Sequence, residues 1–187
     1  MHARASARKP KDRGAAREGG KEPLRPTASK VKESLFNILM GEVEGSVFVD
    51  LYAGTGAVGA EAMSRKAEMV YFVEADRKRA ERIEYLLSGC GCRARAVVVH
   101  AKAVDFLRRS ASEGKSFDIV FIDPPYHTGE MDLVLPVVAE GGVLREGAAV
   151  VAEHFSKKAM PDEAGCLVKK KSYRYGDTTL TLYRRSD

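Results

Sequence analysis

The sequence predicts a three-layer α/β domain: a mostly parallel, seven-stranded sheet with helices on both faces and an antiparallel hairpin at its C-terminal edge. Three observations predict it. Strand-like runs alternate with helical patterns from about residue 46 to residue 154, the order that a parallel sheet with right-handed crossovers requires. The run 117–122, Phe-Asp-Ile-Val-Phe-Ile, is almost wholly apolar, as expected of a strand covered on both faces. Two further strand-like runs, 167–175 and 178–184, are joined by Gly176-Asp177, a hairpin signal.

Taken in order, residues 1–23 are rich in Ala, Arg, Lys and Gly without hydrophobic periodicity, which predicts a basic arm outside a folded domain of residues 24–187. Over 27–40, Val31, Leu35, Ile38 and Leu39 follow helical spacing. Thr27 or Ser29 can cap that helix, and Gly41 can end it. A β-branched and aromatic run at 46–52 then leads through a Gly-rich turn into a helix over 58–66. A strand at 69–74 precedes a charged helix at 77–87, and a strand at 96–100 precedes a helix at 104–112. After the apolar strand come a helix over 130–140 and a strand over 148–154. In such a sheet the site is expected at the carboxyl ends of the strands.

Charge is unevenly placed along the 187 residues. Residues 1–30 hold nine Lys/Arg against three acids, a net +6, which leaves −1 on the other 157 residues. A basic arm ahead of a near-neutral domain suits phosphate backbones, since each neutralised phosphate releases condensed counterion. Cys90, Cys92 and Cys166 form no zinc, redox or disulfide pattern, and no His/Cys/Asp spacing suggests a metal site. No apolar run reaches the roughly 18 residues needed to span a bilayer, and no signal peptide is evident. A cytoplasmic monomer with free thiols is expected.

Asp50-Leu51-Tyr52-Ala53-Gly54-Thr55-Gly56-Ala57-Val58-Gly59 follows the first strand and opens a helix. Glycines there let the backbone turn tightly and approach a ligand. Asp50 can accept from an ammonium group or ordered water, and Glu74, 20 residues after Gly54, can hold both hydroxyls of a ribose. An adenosine-bearing cofactor is the expectation, but Gly54-x-Gly56-x-x-Gly59 with Glu74 fits a dinucleotide as well as S-adenosylmethionine.

Asp123-Pro124-Pro125-Tyr126 ends the apolar strand. Two prolines fix the backbone and remove two amide donors, leaving the Asp123 carboxylate and the Pro124 carbonyl beside an aromatic ring. Acceptors without donors suit a substrate that presents an NH₂ group. The exocyclic amine of a base is a poor nucleophile because its lone pair is delocalised. Two acceptors holding its hydrogens would favour a pyramidal nitrogen, and Asp123 would stabilise the positive charge that develops. Tyr126 would stack on the base. The residues leave three classes open: a base amino-methyltransferase, an NAD(P)-dependent oxidoreductase, and a non-catalytic RNA-binding protein. Guanine N2, adenine N6 and cytosine N4 all present an NH₂ to the same acceptors. Lys169-Lys170-Lys171 with Tyr173, Arg174 and Tyr175 mixes charge and aromatics as RNA-binding surfaces do. His100 and His154 at strand ends read as structural.

Four motifs in this order resemble a known family. Asp50–Gly59, Phe72-Val73-Glu74-Ala75-Asp76 and Phe117–Tyr126 are similar to the amino-methyltransferases with an Asn/Asp-Pro-Pro-Tyr motif. The stretch from Arg25-Pro26-Thr27 to Asn37, with the closing Tyr175-Gly176-Asp177-Thr178-Thr179-Leu180, resembles the bacterial 16S ribosomal RNA guanine-N2 methyltransferases. The resemblance implies a Rossmann-like methyltransferase fold, S-adenosylmethionine as methyl donor, and a guanine in 16S rRNA, naked or in the assembling small subunit, as substrate. Carried over by position, Asp50, Ala53, Gly54, Gly56, Glu74, Ala75, Ala103 and Asp123 would line the cofactor. Asp123, Pro124 and Tyr126 would perform the transfer. Arg25, Thr27, Pro125, Tyr126 and His127 would contact the base or its RNA. Two departures stand out. Lys102 occupies the place of an acidic adenine contact, with Asp105 as a displaced substitute. The basic arm replaces a short β-rich N-terminal segment.

Overall fold

The apolar strands find their partners in one twisted sheet. In the computed structural model, residues 26–186 are described apart from 90, 92, 127 and 141, with side chains from Ser29 onward. Helix α1 (Pro26–Ile38) leads into β1 (Val47–Asp50), followed by α2 (Ala57–Ser64), β2 (Met69–Glu74) and α3 (Arg77–Gly89). Then come β3 (Ala96–His100), α4 (Ala103–Ser112), β4 (Phe117–Ile122), α5 (Glu130–Ala139) and β5 (Leu144–Phe155). The chain closes with β6 (Glu163–Ala164), β7 (Leu167–Tyr175) and β8 (Thr178–Arg185).

The strand order is β3-β2-β1-β4-β5-β8-β7-β6. The first five strands pair in parallel, and β5, β8, β7 and β6 pair antiparallel. Eight strands replace the expected seven, because β6 has only two residues, too few for any periodicity. Strand β5 also begins four residues before the expected 148. Its first residues, Leu144-Arg145-Glu146-Gly147, look like a turn, with Gly147 at φ 70, and the pairing with β4 shifts register between Phe117 and Ile119.

The sheet separates two apolar layers. On one face Phe106 and Leu107 of α4 with Val134, Leu135 and Val138 of α5 pack on Val49, Val120, Ile122 and Val150. On the other, Leu35 and Phe36 of α1, Ala62 of α2 and Ile83 of α3 pack on Phe48, Phe72, Ile119 and Phe121. Strand β4 is apolar at all positions but one because alternate residues serve both layers. Its one acid, Asp118, accepts the Val47 amide and an Arg145 N–H, each at 2.7 Å. Helix α1 begins at Pro26, a good first-turn residue, so Thr27 and Ser29 both lie inside the helix and neither occupies the capping position expected of them. The helix ends at Ile38, two residues before the expected 40, and the left-handed Gly41 (φ 82) falls in the turn that follows.

Between β1 and β4 the direction of strand progression reverses. Such a switch point opens a crevice at the carboxyl ends of the strands, and the Gly-rich loop and the Asp-Pro-Pro-Tyr segment both leave the sheet there.

Candidate active site

The loop after β1 is shaped by its own amides. Asp50 is 2% exposed, and its carboxylate accepts the backbone N–H groups of Gly59 and Tyr52. It therefore ties the loop shut, which accounts for an acid at that position without a ligand. Burial pushes its carboxyl up to about 7, with a smaller rise from Glu74, against the two amides that favour the charged form. The native state thus holds a proton that the unfolded chain releases near pH 4, so this carboxyl's contribution to stability is complete below that value and is lost progressively as pH rises from there to about 7. Between pH 5 and pH 7 the expected loss is about 2 kcal/mol. Thermal melts across that range measure it, and Asp50→Asn should flatten the dependence.

The three glycines differ in role. Gly54 (φ 54) leaves room for a ligand, since a Cβ there would meet only the Tyr52 carbonyl at 3.8 Å. Gly56 is the left-handed residue ahead of α2, with φ 79, and it lines neither cavity described below. The structure accounts for this glycine by the turn, with its left-handed backbone ahead of α2. Gly59 lets α2 lie directly on the Phe72 ring.

Glu74 joins the loop to β2. One carboxylate oxygen accepts the Gly54 amide and the other the Asp76 amide, both at 2.8 Å. Each oxygen keeps a further lone pair for a ligand. Glu74 opens onto a cleft of about 720 Å³ that is lined also by Gly54, Ala75 and Ala103 and by Asp123, Pro124, Pro125 and Tyr126. Its volume falls within the roughly 300–1,000 Å³ of small-molecule sites. A smaller chamber of about 260 Å³ lies under α1, lined by Asp50, Ala53, Val31 and Lys32. Tyr52, Gly54, Asp123 and Glu153 border both spaces. The expected site residues other than Gly56 and those beyond description therefore converge. Arg25 and His127 lie outside the described residues, as does the Thr27 side chain.

Tyr126 is held more firmly than a stacking platform needs. Its hydroxyl donates to Glu153 Oε1 at 2.9 Å and lies 3.0 Å from Thr178 Oγ1. Its ring sits 6.5 Å from that of Phe155. Burial, and the Glu153 carboxylate beside it, raise its pKa, while the Thr178 contact lowers it. Across the cleft mouth the Tyr52 hydroxyl donates to Glu130 Oε2 at 3.1 Å, linking the glycine loop to the start of α5. Sequence reasoning missed Tyr52, Glu130, Glu153 and Thr178. Lys102 lines the cleft beside Ala101, and Arg79 of α3 joins them there. Asp105 is exposed on α4 and is not among the lining residues, so it does not substitute for the absent acid. His154 is buried, with Nδ1 donating to the Phe155 carbonyl at 3.0 Å and Nε2 accepting from Thr181 at 2.8 Å. Burial lowers its pKa, and both ring nitrogens are engaged within the fold. Among the described residues no group of His, Cys, Asp and Glu could hold a metal, and no helix is long and apolar enough to cross a membrane.

The family model described as conserved hypothetical protein 95 matches residues 11–184. The chain belongs to this family. Among the relatives of this conserved hypothetical protein 95 member is ribosomal RNA small subunit methyltransferase D of Haemophilus influenzae. It is 35% identical over 153 residues, covering 81% of this chain and 79% of that protein. The Escherichia coli protein of the same name is 30% identical over 162 residues, with 87% and 80% covered. The solved structure of the Escherichia coli protein yhhF superposes with a TM-score of 0.76 at 30% identity, covering 87% of this family member and 88% of that chain.

Proposed function

We propose that the protein transfers a methyl group from S-adenosylmethionine to the exocyclic N2 of a guanine in 16S ribosomal RNA. The observation that carries this reading is the meeting of Asp123–Tyr126 with Glu74 and the open face of Gly54 in one cleft. The named relatives, ribosomal RNA small subunit methyltransferases, support the substrate class.

The residues fit the donor molecule. Glu74 offers acceptor oxygens to ribose hydroxyls, Gly54 admits the ligand to the backbone, and Ala75, Ala101 and Ala103 leave space for a flat ring. When bound, S-adenosylmethionine supplies a methyl group activated by a positively charged sulfur. Asp123 and the Pro124 carbonyl take the two hydrogens of the amine, and the absence of Pro amides keeps competing donors away. The held amine is pyramidal, with its lone pair aimed along one axis. Asp123 stabilises the positive charge that gathers on nitrogen, and the surplus proton passes to Asp123 or to water. Tyr126, fixed by Glu153 and Thr178, presents its ring to a base flipped from its stack, since a stacked amine is out of reach. The basic arm over residues 1–23 adds phosphate contacts to rRNA or the assembling subunit.

Labelled S-adenosylmethionine with small-subunit particles lacking the modification tests the activity, and mass spectrometry locates the methyl. Label on guanine N2 is the expected result; label on another base would refute the choice of guanine. Glu74→Ala is expected to weaken S-adenosylmethionine binding by about 10–100-fold in calorimetry, since hydrogen bonds to a charged acceptor contribute about 1.5–3 kcal/mol. An unchanged affinity would remove Glu74 from the cofactor site.

A further inference from the structure

Strands β4 and β5 run parallel with Ile122 opposite Ala152. One residue further along each come Asp123, just past the end of β4, and Glu153, two residues before the end of β5, and the register sets them side by side. Ile122 and Ala152 belong to the α4–α5 layer, and Phe121 and Val151 to the opposite layer. Strand alternation therefore turns Asp123 and Glu153 to the same side of the sheet. Both line the main cleft and the chamber under α1. The site thus presents two carboxylates in a row next to a Pro-Pro segment without amide donors. The Glu153 carboxylate is oriented by the Tyr126 hydroxyl, 2.9 Å from Oε1, and Tyr126 is steadied in turn by Thr178.

Two adjacent acceptors match one base edge among those that carry an exocyclic amine. Guanine places the N1–H donor directly beside N2. Adenine places the bare N1 acceptor beside N6, and cytosine the bare N3 acceptor beside N4. A carboxylate facing either of those lone pairs is repelled, and a polar site left unpaired discriminates strongly. We infer that Glu153 determines base specificity: its carboxylate accepts the N1–H of guanine while Asp123 accepts from the N2 amine. A carboxylate has about four acceptor positions, so the bond from Tyr126 orients Glu153 without displacing the base. This inference rests on the guanine-N2 reading above and supplies the selectivity that Asp-Pro-Pro-Tyr lacks.

The decisive probe is 2-aminopurine, which keeps the exocyclic amine of guanine but has no proton on N1. Small-subunit particles are reconstituted with rRNA carrying guanine or 2-aminopurine at the methylated position. The full-length protein is expected to prefer guanine by 100-fold or more in kcat/KM. Glu153→Gln keeps the side-chain shape, and its amide can donate to the bare N1. The preference should fall at least tenfold in this variant, with S-adenosylmethionine affinity within threefold of the parent. A variant that retains the parent's ratio overturns the inference, whether the ratio is read from turnover or, where turnover is too slow, from competition binding of the two particles. A parent protein that methylates both particles within threefold overturns it without any variant, which covers the case of a Glu153→Gln protein that does not fold. Absence of methyl transfer by the parent to the guanine particle instead overturns the functional reading on which the inference rests.

Discussion

Replacing Asp123 by alanine is expected to lower kcat for methyl transfer by about two to three orders of magnitude, the typical cost of removing one preorganised electrostatic partner of a developing charge. The residue sits one step beyond the fully buried Ile122, at the end of a strand packed on both faces, so its position is set by the sheet and not by the ligand. Alanine leaves that backbone intact and removes the acceptor. The amine then loses its geometry and its charge partner together, while Glu74 and the glycine loop still bind the donor. The loss should accordingly appear in single-turnover rates, with S-adenosylmethionine affinity changed by less than tenfold. Asp123→Asn retains an acceptor oxygen without the charge and should fall between the parent and Asp123→Ala in rate. Equal rates for Asp123→Ala and the parent would refute the assignment.

Gly59→Ala is expected to cost about 3 kcal/mol of stability, the upper part of the usual range for overpacking a core. A Cβ on Gly59 would lie 2.7 Å from Cζ and 2.8 Å from Cδ1 of Phe72, and nearer still to Cε1. Phe72 is 1% exposed, in the middle of β2, with Ile83 of α3 buried in the same layer. The ring has nowhere to retreat, so α2 must lift. For a chain of this size that energy corresponds to roughly 6–12 °C in Tm. Because the Gly59 amide also caps Asp50, displacement of α2 opens the loop and should weaken S-adenosylmethionine binding as well. Phe72→Leu in the same background should recover part of the Tm; no recovery would place the strain elsewhere.

Much of this site was legible in the sequence because its parts are contiguous. The loop 50–59 and the tetrapeptide 123–126 each carry their chemistry within a few residues, and alternation of strands with helices places both at one end of a sheet. Glu153 had no such signature. It reads as an ordinary polar position in a strand, and only the pairing of β4 with β5 sets it beside Asp123. Thr178 likewise depends on the antiparallel register of β8, with Phe155 opposite Thr178. Asp50 and Gly56 also serve the loop itself, for a related reason. Both satisfy the loop's own backbone, an internal demand that a spacing pattern cannot separate from a ligand contact. Strand β6 and the start of β5 were hidden by shortness and by Gly147, since neither offers enough alternation to count.

The position of β8 constrains how a growing polypeptide can acquire its shape. β8 lies between β5 and β7, and its residues Leu180, Thr181 and Tyr183 are wholly shielded from solvent. A nascent chain made only as far as Tyr175 has β7 without its principal neighbour and β5 with one side unzipped. The Tyr126 hydroxyl also lacks its Thr178 contact at that stage. Synthesis of β8 thus supplies both the missing neighbour of β5 and β7 and the tyrosine's Thr178 contact, so chains that stop short of it carry a sticky border but no finished pocket.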